Sequence, residues 1–120
     1  MTSAICSVAV AGLALIAPAS AHHSYAMFDQ AKDVALAGTV KDWQWANPHV
    51  LIVVAAPGND GKVVEYSIEG PSPQVLRPRG WNREAMKPGD KVTVNMHPLR
   101  DGSNGGSLVS VVTADGHKYE

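Results

Sequence analysis

Clusters of turn-forming residues punctuate this chain and leave short runs of strand character between them. The clusters are Ala46-Asn47-Pro48, Pro57-Gly58-Asn59-Asp60-Gly61, Lys87-Pro88-Gly89-Asp90 and the glycine-rich stretch 101–106. Residues 62–69 alternate cleanly, with Val64, Tyr66 and Ile68 on one side and Glu65, Ser67 and Glu69 on the other. That period of two marks a half-buried strand. Residues 91–97 repeat it, Val92, Val94 and Met96 opposing Thr93, Asn95 and His97. Residues 34–45, 50–55 and 107–113 read as further strands, and Gly38 within the first predicts a bulge or a barrel corner. Between the third and fourth strands, Ser72 and Pro73 open a short helix that Pro78 limits and Gly80 ends.

Five strands with one short helix between the third and fourth match the order of an OB-fold. The expected fold class is therefore all-β, a five-stranded OB-fold-like Greek-key barrel. A β-sandwich is the rival, but it usually needs seven or more strands. An irregular N-terminal arm, residues 22–33, precedes a barrel domain of residues 34–120. The formal net charge of −1 argues against a nucleic-acid binder, which normally shows a basic face.

Ahead of the arm, residues 4–17 are apolar and uncharged, and they lead into Ala19-Ser20-Ala21, a small-x-small cleavage pattern. Residues 1–21 are read as a signal peptide although Met1-Thr2-Ser3 lacks the usual basic residue. The apolar run falls short of the roughly 20 residues of a membrane span. The expectation is an exported, periplasmic protein with no membrane span after cleavage. Its single cysteine, Cys6, would leave with the leader. That excludes disulfides, thiolate metal sites and cysteine nucleophiles from the mature chain.

Cleavage after Ala21 makes His22 the first residue, with His23 beside it. A terminal amine and its own imidazole can close a chelate on one metal ion. His49 stands at the start of the second strand and His97 at the end of the fourth. The loops there border the usual ligand-binding face of an OB-fold. His22, His23, His49 and His97 are the candidate metal ligands, with Met27 or Met96 as an additional thioether. An amine-and-imidazole donor set favours copper, with zinc second. Residues of these types also have plainer uses: a processed arm, a hydrogen-bonded strand end, a turn cap. His117, in a polar tail, is assigned nothing.

Trp43 and Trp45 share one face of the first strand and are read first as core. With Arg100 they form the alternative, a face for a protein partner or small ligand. Trp81 is expected to plug the barrel end, and Glu65 and Glu69 to be solvated. No nucleophile elbow, P-loop or dinucleotide fingerprint occurs, so the chain reads as a non-enzyme. The leading function is a copper carrier, buffer or accessory protein; the alternative is a metal-free adaptor module.

One set of motifs runs through nearly the whole mature chain. It comprises Ala21-His22-His23-Ser24, Met27-Phe28-Asp29, Gly38-Thr39-Val40 and Trp45-x-Asn47-Pro48-His49. It continues through Ser67-Ile68-Glu69, Gly80-Trp81 and Lys87-Pro88-Gly89-Asp90 to His97-Pro98-Leu99-Arg100-Asp101-Gly102. In these the chain resembles a family of small exported bacterial proteins of unknown function. The resemblance implies a periplasmic β-barrel-like domain and no particular activity.

Overall fold

Six strands form the framework of residues 25–120, the part of the chain that the structure, a computed structural model, describes. The expected leader, its cleavage site, and His22 and His23 lie outside the described residues. The strands are β1 (Val34–Gln44), β2 (Leu51–Pro57), β3 (Val63–Glu69), β4 (Lys91–Pro98), β5 (Gly105–Thr113) and β6 (Lys118–Tyr119). A short helix α1 (Pro73–Leu76) runs on into a 3-10 turn at Arg77–Arg79, between β3 and β4. The sheet order is β3-β2-β1-β4-β5-β6, and a parallel pairing of β3 with β5 closes the first five strands into a barrel. This is the OB-fold-like architecture expected from the order of elements.

Alternation builds the core. Ile52 and Val54 of β2, Ile68 of β3 and Val94 of β4 point inward and are completely buried. β1 must bend to serve two neighbours: it pairs with β4 over Val34 to Thr39, then with β2 over Thr39 to Gln44. Gly38 sits at that handover, where a Cβ would collide with the Ala55 carbonyl and the Val54 side chain. The bulge itself falls later, at Lys41, between the pairs Val40–Val54 and Asp42–Val53. One extra residue reverses the parity of the strand. Leu36 and Val40 face inward before it, and Trp43 and Trp45 turn toward the core after it.

The barrel end is plugged from α1. Pro73 occupies the first helical turn, and the Ser72 carbonyl, with no help from its side chain, accepts from Val75 and Leu76 at 3.0 and 3.2 Å. Gly80 ends the segment in the left-handed region at φ 88°. Leu76 and Trp81, each 2% exposed, are thereby pushed into the core, a burial worth about 1.5–3 kcal/mol for a Leu-sized side chain. The Trp81 indole N–H donates to the Glu120 carbonyl at 3.3 Å, and its ring lies 5.1 Å from that of Tyr119. Tyr119 belongs to β6, which pairs with Val111 and Val112. Where the sequence predicts a polar tail, a turn at Asp115 and Gly116 folds the segment back onto β5.

The glycine-rich stretch also differs from expectation. Gly105 and Gly106 are not loop but the first residues of β5. A Cβ on Gly105 would strike the Ser67 carbonyl, and one on Gly106 the His97 carbonyl and the Met96 sulfur. Only bare backbone lets β5 approach β3 and β4 closely enough to close the barrel.

Candidate functional site: a histidine-lined cleft under the N-terminal arm

The arm is docked against the barrel rather than extended. Tyr25–Met27 forms one 3-10 turn, and Phe28, 5% exposed, bridges to Leu99 as a single antiparallel pair. Asp29 N–H donates to the Pro98 carbonyl at 2.8 Å, and Arg100 N–H donates to the Met27 carbonyl at 2.9 Å. Between arm and rim lies a cleft of about 250 Å³. Tyr25, Phe28 and Gln30 of the arm line one part of it. The barrel supplies His49, Glu69, Gly70, Pro71, His97, Ser107 and Leu108.

His49 and His97 therefore line one cleft, although 48 positions separate them in sequence (97 − 49). The turn containing the cis peptide Asn47-Pro48 leads into His49 just before β2. Its Nδ1 donates to the Gly70 carbonyl at 3.1 Å, while Nε2 stands 3.8 Å from Glu69 Oε1. Gly70 can sit so close because a Cβ there would meet Val50 Cγ2 at 2.7 Å and Leu108 Cδ2 at 2.9 Å. His97 is held alike: Nδ1 donates to the Lys32 carbonyl at 2.9 Å and lies 3.1 Å from Asp33 Oδ1. A carbonyl oxygen only accepts, so both Nδ1 atoms carry the proton, and in the neutral ring the lone pair belongs to Nε2.

Register explains which groups join them. Glu69 of β3 pairs with Ser107 of β5, and Ser107 pairs with His97 of β4. Residues directly opposite across a sheet share a face, so Glu69, Ser107 and His97 form one row beneath the arm. Ser107, 8% exposed, is among the few buried polar residues. Sequence reasoning missed Glu69 and Ser107, because their partnership depends on a parallel pairing that no local pattern encodes. Among the described residues, no three or more His, Cys, Asp or Glu side chains are grouped to hold a metal ion.

The remaining candidates fall elsewhere. Met96 is 2% exposed and faces the core, one residue from His97 but on the opposite side of β4. Met27 is 42% exposed and is not among the cleft-lining residues. Trp45 is buried and Trp43 half-buried, their rings 5.7 Å apart, with Trp81 6.1 Å from Trp43. The cluster is packing rather than an open stacking platform, although the buried Trp43 indole N–H has no hydrogen-bond acceptor among the described residues. Arg77 lies over Trp45 at 6.0 Å. Arg100 does not join that cluster; it reaches the arm, Nε donating to the Ala26 carbonyl at 3.0 Å. His117 packs edge-on against Tyr119 at 4.4 Å.

Fold and cleft together define an OB-fold-like barrel whose rim carries a pocket lined by two histidines. Residues 9–109 match DUF6152, a family of unknown function, and the chain belongs to that family. No curated protein matches it. Among solved structures, it is similar to the mitochondrial single-stranded DNA binding protein Rim1 of S. cerevisiae. Identity is 12%, the match covers 72% of this chain and 97% of that one, and the TM-score is 0.49. Among the described residues, no helix is long and apolar enough to cross a membrane.

Proposed function

We propose that this protein is an exported, periplasmic copper-binding protein that carries or buffers the ion or passes it to a partner. One observation carries the reading: His49 and His97 line a single cleft, each with Nδ1 donating to a backbone carbonyl. Metal-ligating histidines are characteristically oriented this way, the second nitrogen tied back so that the first presents its lone pair. In this reading the barrel supplies two imidazoles and the processed N-terminus supplies the rest, through the His22 amine and ring and the His23 ring. Chain connectivity favours it. His23 precedes cleft-lining Tyr25 by two residues, a reach of at most about 7 Å. Nitrogen donors of this kind suit Cu(II), with zinc the second choice.

Mature protein isolated from the periplasm should begin at His22 by intact mass and take up one Cu(II) by calorimetric titration. His49→Ala, His97→Ala and His22→Ala should each weaken binding at least about tenfold, and His117→Ala should leave it unchanged. Equal losses from His97→Ala and His117→Ala would remove the reading. Binding should also weaken as pH falls toward about 5, because imidazole and amine must shed protons to coordinate.

A second reading has its own support in the apolar half of the cleft, formed by Tyr25, Phe28, Pro71 and Leu108. There the cleft takes a small amphipathic molecule without metal, and the protein is a binding or adaptor module. Fragment binding to metal-free protein, seen as amide shifts confined to the cleft with no heat of copper binding, would favour it.

A further inference from the structure

We propose that Arg100 is a positioning residue for the cleft, clasping the arm to the barrel so that the Lys32 carbonyl holds His97 ready to bind a metal. The inference rests on the copper reading above and deepens it. Arg100 meets the arm in several ways: its Nε donates to the Ala26 carbonyl at 3.0 Å, its backbone N–H to the Met27 carbonyl at 2.9 Å, and its Nη1 stands 3.9 Å from Asp29 Oδ1.

Beyond that clasp the arm makes a tight turn. Asp29 N–H donates to the Pro98 carbonyl, the Asp29 carbonyl accepts from Lys32 N–H at 3.0 Å, and Asp29 Oδ1 accepts from Ala31 N–H at 3.2 Å. The end of this turn delivers the Lys32 carbonyl and the Asp33 carboxylate to His97 Nδ1. Arg100 thus acts on His97 through the arm, without entering the cleft itself. The exposed pair with Asp29 is worth little by itself. The guanidinium bond to a carbonyl is the stronger element, because its donor is charged.

Coupling of this kind is reciprocal. If the docked arm improves the metal site, metal in the cleft must tighten the arm. Arg100 is 59% exposed and takes no part in the core, so its removal should leave the barrel folded.

The test uses the full mature protein with Cu(II), comparing wild type, Arg100→Ala, Arg100→Lys and His97→Ala. Folding is checked by circular dichroism. Arg100→Ala should bind Cu(II) about ten- to a hundredfold more weakly, the usual cost of losing a group that orients a ligand. Its copper EPR spectrum should shift toward that of His97→Ala, a change that mere loss of stability does not produce. Arg100→Lys keeps a charge but loses the Nε donor, and should recover only part of the affinity. In wild type, copper should slow hydrogen exchange at the Asp29 and Arg100 amides. Wild-type uptake of copper with unchanged affinity and spectrum in Arg100→Ala overturns this inference alone. A wild-type protein that takes up no copper overturns the copper reading and this inference with it.

Discussion

Met96 and His97 are adjacent in β4, yet their side chains do opposite jobs. Met96 is 2% exposed in the core, and its sulfur lies where a Cβ on Gly106 would have to go. His97 faces the cleft. Met96→Ala should therefore cost about 2–5 kcal/mol in urea denaturation while copper stoichiometry stays unchanged; Met96→Leu should cost less than about 1.5 kcal/mol. Loss of copper without loss of stability would instead make Met96 a ligand. The alternation of residues 91–97 already separated the two side chains, so the thioether role conflicted with the pattern visible in the sequence. Glu69 is the converse. Its outward position on β3 was legible, but its place beside His49 and Ser107 arises from pairings between distant segments.

Turns and bulges decide how these strands meet. The turn Lys87-Pro88-Gly89-Asp90 was legible from its residues, and the structure adds what anchors it. Asp90 accepts from both the backbone and the side chain of Lys87, at 3.1 Å each, and the Asp90 carbonyl accepts from Val40 N–H on β1. These bonds from Lys87 hold the Asp90 carboxyl below its ordinary value of 3.8. A carboxyl whose folded pKa is depressed adds stability above its unfolded value, and loses it as pH falls through the folded one. Wild type should thus lose stability more steeply below pH 3.8 than Asp90→Asn does, in thermal melts across the acid range. Parallel acid limbs would show that ionisation of Asp90 contributes nothing to stability. The bulge at Lys41 was less legible. Gly38 marks the corner where β1 passes from β4 to β2, one of the two features expected there, whereas nothing in Val40-Lys41-Asp42 marks an inserted position. Its effect, turning Trp43 and Trp45 inward, follows from parity alone.

For the whole molecule, the order of strands and helix was enough to anticipate the barrel, because each strand carried its own turn signals and alternation. The arm was harder to read. Its packing rests on Phe28 against Leu99 and on backbone bonds to residues 98–100, which leave no periodic trace. Closure is narrow as well. β3 and β5 are joined over Ser67–Gly105, Ile68–Gly106 and Glu69–Ser107, against seven pairs between β2 and β3. The cleft opens beside that seam, with Glu69 on one bank and Ser107 on the other. Anything lodged there spans the thinnest weld in the barrel and works as a rivet. Copper at about a hundred times its Kd should then add about 2.7 kcal/mol to the stability of the fold. The melting midpoint should climb with copper and drop back when a chelator strips it out.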